Sequence, residues 1–357
     1  MLDKRKIAVI STGNGGQSMA AYFSHLGYRV ALYAREAERV KMFKNNHFVI
    51  DGILQAETDI ELISCDMEEI IRDAHLIMVT TPSQYHHIIA REIAPHLEEG
   101  QIVVLNPGRT LGTFVFDKVL RETGGDEAAE KVILAETDTF AFTCRCVAVG
   151  RPMIFFIKTD VIAAAHRPED NQKVRDALHP IFSDIRMAPN VLHTSMCNIG
   201  MVFHPLPILL NITRVEAKEN FLFYMEGISP LVANILEKID DERVNVAAAL
   251  GIKTPNAIEW LWERYGSTGA NLYTAIQNTH AYSQIMAPTD IDTRYIFEDV
   301  LTGLVPMSCL GKNLGVPTPI IDSAINWAST VYHLDFFSLG RNEENIDFEA
   351  VLKAAGK

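Results

Sequence analysis

One histidine of this chain stands in an apolar run, and its side chain suits proton transfer. His204 lies in residues 198–207, whose sequence is otherwise mostly apolar. An imidazole titrates near neutral pH, so its neighbours can set it to give or take a proton under working conditions. Spacing alone also permits a plainer interpretation, in which His204 is a core residue whose ring is satisfied by a backbone carbonyl.

A charged group lies nearer the carboxyl end. Arg294 precedes Glu298 by four positions and Asp299 by five. A guanidinium can hold a carboxylate through two parallel hydrogen bonds. Residues four apart on a helix are neighbours, however, so spacing alone favours surface ion pairs without a catalytic role.

The amino-terminal stretch has the pattern of a dinucleotide-binding turn. The apolar run Lys6–Ile10 predicts a strand, and residues 19–26 have the composition of a helix. Between them the sequence is Ser-Thr-Gly-Asn-Gly-Gly, residues 11–16. A strand, turn and helix of this kind place the pyrophosphate of a dinucleotide at the helix N-terminus.

The residues of this turn have distinct expected roles. Gly13 leaves room for the backbone to approach a phosphate, and Gly16 lets the helix pack closely on the strand. Ser11 replaces the first glycine of the usual pattern and is tolerated if its φ angle stays negative. We expect Gly13, Asn14, Gly15 and Gly16 to bind the cofactor.

The end of the second expected strand, residues 28–33, bears on the choice of cofactor. A carboxylate there would hold the ribose hydroxyls of NAD, whereas an arginine can pair with the 2′-phosphate of NADP. Ala34 occupies the first position and Arg35 follows it, which slightly favours NADP(H) over NAD(H). Glu36 still leaves NAD(H) open, and a solvated Arg35 is the plainer alternative.

Strands and helices alternate in the first half of the chain, which predicts an α/β Rossmann domain with a doubly wound parallel sheet. Further strands are expected at residues 75–80, 101–105 and 132–136, with a hairpin over residues 47–64 and an irregular loop over residues 137–145.

Ligands of such sheets bind where parallel strands end. Two turn-rich segments follow expected strands at this edge. We therefore expect four of their residues to face the cofactor: Thr80, Pro82, Asn106 and Gly108.

The second half has apolar residues at helical spacing and predicts an all-α domain. The expected helices cover residues 206–219, 229–250, 256–265, 293–301 and 320–330. We place the NAD(P)-binding domain at residues 1–188 and the helical substrate domain at residues 189–357, with the active site in the cleft between them.

Composition narrows the functional class. The 357 residues carry a net charge of −13, which argues against nucleic acid or an anionic membrane as partner. No apolar run approaches the roughly 18 residues of a membrane span. The five cysteines have no CxxC spacing, so we expect reduced thiols, a cytoplasmic protein and no metal; Cys144 and Cys146 are expected to alternate on a strand.

Several motifs, in order along nearly the whole chain, resemble the opine dehydrogenase family of the octopine/nopaline type. In the first half they are residues 13–17, 20–22, 94–97 and 100–110. In the second half they are residues 203–205 with 209–211, 226–227, 287–288, 294–296 with 298–300, 303–306 and 315–319.

The resemblance implies an NAD(P)H-dependent reductive condensation. An α-keto acid and the amino group of an amino acid form an imine, which the cofactor reduces. The catalytic histidine, arginine and aspartate of the family fall on His204, Arg294 and Asp299. In this set Arg294 can hold a substrate carboxylate or orient Asp299. The implied partners are small molecules, with a homodimer as a further expectation.

Two other classes of protein remain open from the sequence. One is a simple 2-keto or 2-hydroxy acid oxidoreductase of the ketopantoate or glycerol phosphate reductase type, which relies on lysines that the segments around His204 and Asp299 lack. The other is a non-catalytic dinucleotide-binding protein.

Overall fold

A computed structural model describes residues 5–357. Residues 1–4, which the expected first domain includes, lie outside the described residues. The chain forms two compact units that divide between Thr194 and Ser195, a little beyond the expected boundary at residue 188.

The first unit contains the strands of the fold. They are β1 (Lys6–Ile10), β2 (Arg29–Tyr33), β3 (His47–Gly52), β4 (Ala56–Asp59), β5 (Leu62–Ser64), β6 (Ala74–Val79), β7 (Ile102–Leu105), β8 (Ile133–Thr137), β9 (Phe142–Ala148), β10 (Arg151–Ile157), β11 (Ile162–Ala165) and β12 (Arg186–Met187).

Helices connect these strands. They are α1 (Asn14–His25), α2 (Ala37–Lys41), α3 (Met67–Ile71), α4 (His86–Ile93), α5 (Gly112–Glu130, interrupted at Gly125), α6 (Asn171–Leu178) and α7 (Val191–Met196). Short 3-10 turns lie at Lys44–Asn46, Ser83–Tyr85, Ala94–His96 and Pro168–Asp170.

The main sheet has eight strands in the order β12-β11-β8-β7-β6-β1-β2-β5. The strands from β8 to β5 in this order are parallel, and β11 runs antiparallel to β8. Side chains of β1 alternate between two buried layers: Val9 packs in one with Met19, and Ile10 in the other with Ile89. The expected doubly wound α/β sheet is confirmed.

A second, four-stranded sheet, β4-β3-β10-β9, packs on α1. Gln17 joins them, because its side-chain amide donates to Thr12 O (2.8 Å) and its oxygen accepts from Gly150 N (2.9 Å). Tyr22 meets Phe142 edge to face at 5.4 Å. The cofactor helix predicted from the glycine turn is therefore covered by protein on two sides.

This second sheet corrects two expectations. The hairpin expected over residues 47–64 is present only as β3 and β4, since β5 leaves to pair with β2 in the main sheet. The irregular loop expected over residues 137–145 is wrong from Phe142 onward, where β9 begins. Cys144 and Cys146 lie on that strand, as expected. The β3–β10 pairing joins distant segments, which local patterns do not reveal.

The second unit is helical, as expected. Its helices are α8 (Gly200–Phe203), α9 (Pro205–Leu210), α10 (Ile212–Glu216), α11 (Pro230–Ala249), α12 (Ala257–Tyr265), α13 (Leu272–Gln277), α14 (Arg294–Phe297), α15 (Val305–Leu314), α16 (Pro319–Tyr332), α17 (Phe336–Leu339) and α18 (Phe348–Ala354), with a 3-10 turn at His280–Tyr282 and a π-helical turn at Val300–Leu304.

Two helices expected from periodicity are broken in the structure. The helix expected over residues 206–219 is divided at Asn211, and that over residues 293–301 ends at Phe297 before the π-helical turn begins. Among the helices of residues 5–357, none is long and apolar enough to cross a membrane.

Candidate active site

The centre of the second unit is a hydrogen bond between His204 and Asp299. Nδ1 of the imidazole lies 2.7 Å from Oδ2 of the carboxylate. The Asp299 side chain is 1% exposed and the His204 side chain 14%. The two residues are 95 positions apart in the sequence, so only the fold brings them together.

The hydrogen bond to Asp299 determines which tautomer the neutral imidazole of His204 adopts. An ionised carboxylate can only accept, so Nδ1 carries the proton and Nε2 keeps its lone pair when the ring is neutral. When Nε2 takes a proton, the nearby negative charge stabilises the imidazolium. The pair can therefore accept and return a proton at Nε2.

His204 and Asp299 each lie where a helix is interrupted. His204 follows α8, and Pro205 begins α9, where the missing N–H of proline costs little. Asp299 precedes the π-helical turn, whose defining bond runs from Leu304 N to Asp299 O at 3.0 Å. Such widened turns change which way side chains point and are frequent at functional sites.

A glycine allows the two segments to touch. A Cβ added to Gly303, in the π-helical turn, would lie 2.7 Å from Cβ of Met201, in α8. Real Cβ atoms do not approach so closely, because their repulsion is too strong. Gly303 therefore lets the segment carrying Asp299 approach the segment that leads to His204.

Two tyrosines that the sequence analysis missed complete this site. Tyr295 stacks on the His204 ring, with centroids 4.1 Å apart and planes at 14°. The hydroxyl of Tyr224 lies 3.2 Å from Nε2 of His204. Tyr295 stands within the family-like run 294–296 and could have been found there, whereas no motif signals Tyr224.

Arg294 stands beside this pair and points toward the exterior of the unit. Its Nη1 lies 3.5 Å from Oε2 of Glu298, and its side chain is 61% exposed while that of Glu298 is 5% exposed. The guanidinium carbon lies 5.5 Å from the centre of the Tyr295 ring. The ion pair expected from the four-residue spacing is confirmed, and the exposed guanidinium can receive an anion.

In the first unit, the glycine-rich turn contains one correction. Ser11 adopts a φ of 143°, so the expectation of a negative angle is wrong. This backbone region favours glycine because it has no Cβ. The Ser11 hydroxyl accepts a hydrogen bond from Gly13 N at 3.0 Å, which offsets part of the strain. The turn thus keeps a glycine-type backbone with serine in the first position.

Gly16 fulfils its expected packing role. A Cβ at this position would overlap the carbonyl group of Ser11 and approach Thr80 Oγ1 to 3.0 Å. A Cβ at Gly13 would meet only Ser11 Oγ, at 3.3 Å. Gly13 caps α1 without any side-chain hydrogen bond, so the first amide groups of α1 have no capping side chain and suit a phosphate.

Asn14 and Gly15 are engaged with neighbouring protein. The Asn14 side chain accepts from Cys146 N at 3.0 Å, which ties α1 to β9. A Cβ at Gly15 would lie 2.6 Å from the ring of Phe140. Phe140 was not predicted from the sequence, and no motif points to it.

The expected strand-end residues lie at one edge of the sheet. Thr80 follows β6 and donates through its hydroxyl to Ile10 O (3.2 Å), and Pro82 follows before the Ser83–Tyr85 turn. Asn106 follows β7, is 1% exposed and accepts from Ala141 N at 3.2 Å. Gly108 donates to Thr137 O at 3.0 Å. These contacts assemble the edge at which the fold binds ligands.

Two arginines lie beyond the end of β2. Arg35 is exposed two residues after the end of the strand. Arg39, on α2, donates from Nη2 to Thr12 O (3.0 Å) and from Nε to Thr12 Oγ1 (3.3 Å), so its guanidinium lies against the glycine-rich turn. The sequence analysis missed Arg39, and none of the motifs includes it.

Residues 5–357 contain no cluster of three or more histidine, cysteine, aspartate or glutamate side chains arranged to hold a metal ion.

Comparison with known proteins assigns the family. The family model for the α-helical domain of NAD/NADP octopine/nopaline dehydrogenase matches residues 187–332, and that for the N-terminus of NAD-dependent glycerol-3-phosphate dehydrogenase matches residues 6–120. The chain is 37% identical to an opine dehydrogenase of Arthrobacter sp. (strain 1C), over 100% of this chain and 98% of the relative. This chain belongs to the opine dehydrogenase family. It is an NAD(P)-dependent dehydrogenase.

Solved structures of similar proteins share the fold. The structure of octopine dehydrogenase with NADH and L-arginine has a TM-score of 0.82 at 21% identity, covering 99% of this chain and 98% of that one. Yersinopine dehydrogenase with bound NADP+ has a TM-score of 0.75 at 14% identity, covering 98% and 96%. The resemblance stated from the motifs is confirmed.

Substitutions at Gly13 and Gly16 of the glycine-rich turn test their separate roles. Gly16→Ala forces a Cβ into the Ser11 carbonyl and should lower the free energy of unfolding by about 1–3 kcal/mol, together with dinucleotide affinity. Gly13→Ser meets no backbone atom and keeps a good helix cap, so it should lower dinucleotide affinity alone. Urea unfolding and fluorescence titration with NADPH and NADH measure the two quantities. Unchanged affinity in Gly13→Ser would remove Gly13 from the phosphate site.

Proposed function

We propose that this protein catalyses the reversible, NAD(P)H-dependent reductive condensation of an α-keto acid, such as pyruvate, with the amino group of an amino acid. The amine adds to the keto carbon, the keto oxygen leaves as water, and an imine forms. Hydride from the reduced cofactor then adds to the imine carbon, the imine nitrogen takes up a proton, and a secondary amine results. The observation that carries this proposal is the buried His204–Asp299 pair in a chain of this family.

His204 is the proton-transfer residue of the proposed reaction. Loss of water from the addition product requires a proton donor, and formation of that product requires a group that removes a proton from the amine. Nε2 of His204 can perform both steps, since Asp299 fixes the proton on Nδ1 and stabilises the imidazolium. Asp299 acts through the imidazole.

Arg294 is assigned to a substrate carboxylate. The sequence left open whether it holds a carboxylate or orients Asp299. It forms an ion pair with Glu298, and most of its side chain is exposed. An exposed guanidinium can bind an incoming carboxylate through two hydrogen bonds. Both proposed substrates, the keto acid and the amino acid, carry a carboxylate.

NADP(H) is the cofactor that we favour slightly over NAD(H). Arg35 follows β2, where the 2′-phosphate is read in folds of this kind, and Arg39 adds a second positive charge at the glycine-rich turn. Glu36 is also exposed there, which keeps NAD(H) as the alternative. Of the two similar structures above, octopine dehydrogenase holds NADH and yersinopine dehydrogenase holds NADP+. The homodimer and the cytoplasmic location stay predictions from the sequence.

The substrate requirement tests the reaction directly. We expect oxidation of NADPH, and more slowly of NADH, only when pyruvate and amino acids are present together. The measurement is the initial rate of absorbance loss at the nicotinamide band with pyruvate alone, pooled amino acids alone, and both. Oxidation with pyruvate alone would identify a simple keto acid reductase. If no keto acid supports cofactor oxidation although the cofactor binds normally, the result would favour the non-catalytic dinucleotide-binding protein.

His204→Ala tests the proton-transfer residue. Removing a positioned acid and base should lower the rate by about 10²–10⁴-fold, while cofactor affinity stays nearly intact because the dinucleotide turn lies in the other unit. Steady-state rates and NADPH titrations measure both. His280→Ala, at an exposed histidine of the same unit, is the matched control. Near-normal turnover in His204→Ala would exclude His204 from the mechanism.

Arginine variants test the cofactor preference. Arg35→Ala should lose about 10–100-fold in NADPH affinity and much less in NADH affinity, since only NADPH carries the 2′-phosphate. Arg39→Ala should weaken both cofactors, because its guanidinium steadies the turn at Thr12. Lys41→Ala, an exposed charge on the same helix, is the control. Equal losses for both cofactors in Arg35→Ala would show that Arg35 does not read the phosphate.

A further inference from the structure

Both ring nitrogens of His204 have protein partners in the structure. Nδ1 is bonded to Asp299 at 2.7 Å, and Nε2 lies 3.2 Å from the Tyr224 hydroxyl. The bond to the buried carboxylate is the shorter and charge-assisted one, so it is the stronger. Nε2 is therefore the nitrogen available for chemistry, and Tyr224 is the protein group that faces it.

The direction of the second bond follows from the first. With the proton on Nδ1, neutral His204 presents a lone pair at Nε2, so the Tyr224 O–H donates to it. Burial raises the pKa of Tyr224 well above its ordinary value of 10, with lesser contributions from neighbouring groups. The phenol consequently stays protonated, and remains a donor, throughout the range in which an imidazole titrates.

The Tyr224 ring is held by stacking. It lies on the ring of Tyr282, with centroids 4.0 Å apart and planes at 15°, and meets Phe223 edge to face at 4.9 Å. The Tyr224 side chain is almost completely buried, since the residue is 4% exposed. The Tyr224 ring therefore cannot swing away from His204 without disrupting this packing. Its hydroxyl hydrogen can still rotate about the C–O bond.

The backbone turn that carries Tyr224 is also anchored to the helix that follows His204. Asn211, at the end of α9, donates from one side-chain amide to Pro207 O (2.9 Å) and to Gly227 O (2.8 Å). Phe223 N donates to Ile285 O at 2.8 Å, which fixes the other side of the turn. The Tyr224–His204 distance is thus defined by α9 and by this turn together.

We infer that Tyr224 is a positioning residue for His204, whose phenol donates to Nε2 and aligns that nitrogen for the substrate. This inference rests on the proposed proton-transfer role of His204. When the substrate arrives, the phenol turns from Nε2, and the imidazole takes the proton from the amine.

The sign of the effect can be worked out from the surrounding groups. Asp299 favours the imidazolium, and Tyr295, from α14, stacks on the ring. Arg294 lies over the Tyr295 ring, and Tyr265 and Tyr282 pack behind Tyr224. All of these remain in Tyr224→Phe. The variant loses only the donor that stabilises the neutral ring, so Nε2 should take up its proton at a higher pH than in the wild type.

Nitrogen NMR of the full-length protein with 15N-labelled histidine measures this directly. The His204 resonances are assigned by their loss in His204→Gln, and the pH midpoint of the Nε2 shift is compared between proteins. We expect the midpoint in Tyr224→Phe to rise by about half a unit to one unit. Tyr282→Phe, which removes a buried phenol of the same cluster that does not touch His204, should leave the midpoint unchanged.

Kinetics provide a second readout. Tyr224→Phe should lower kcat by about five- to tenfold with little change in the KM of either substrate, and should move the pH–rate profile in the same direction as the NMR midpoint. A merely structural role would lower thermal stability or raise KM without moving the profile.

The outcomes separate this inference from the proposed function. A midpoint that stays or falls in Tyr224→Phe overturns the inference, even if the wild type condenses keto and amino acids. The NMR midpoint does not require turnover, so a rise in a protein that shows no condensation would support the contact and contradict only the proposed reaction.

Discussion

The second unit depends on one interaction, the hydrogen bond from the His204 imidazole to the buried carboxylate of Asp299. A carboxylate that is 1% exposed has lost almost all of its hydration and needs a donor close by. The imidazole supplies that donor and, in return, has its proton fixed on Nδ1. This arrangement fixes the tautomer of His204. It also turns Nε2 toward the phenol of Tyr224 and holds the ring in the orientation on which Tyr295 stacks.

The backbone around this bond is irregular at both ends. His204 stands between two short helices, and Asp299 stands at the start of a π-helical turn. Regular helices would have kept the carboxylate and the imidazole on faces set by the 3.6-residue period. Gly303 then allows the two segments to approach, because a methyl group there would collide with Met201. Irregular backbone is thus concentrated where the chemistry requires it.

The first unit follows the same logic with different chemistry. The cofactor turn combines a strained Ser11, a helix without a side-chain cap and a glycine that permits contact with the strand end. The missing side-chain cap leaves the first backbone amides of α1 available for a phosphate. The second sheet and Gln17 hold α1 rigidly, so these amides are positioned before any ligand arrives.

The sequence by itself determined the fold class, the family and the residue types of the site. Strand and helix periodicity is local, and long motifs matched the opine dehydrogenases, so the Rossmann sheet, the helical second half and the selection of His204, Arg294 and Asp299 could all be stated in advance. The second sheet, the φ angle of Ser11, the contact of Arg39 with Thr12 and the meeting of Tyr224 with His204 could not. Each depends on segments that are distant in sequence or on backbone angles set by packing, and only the tertiary structure decides these, because side-chain contacts across a fold leave no periodic pattern in the chain.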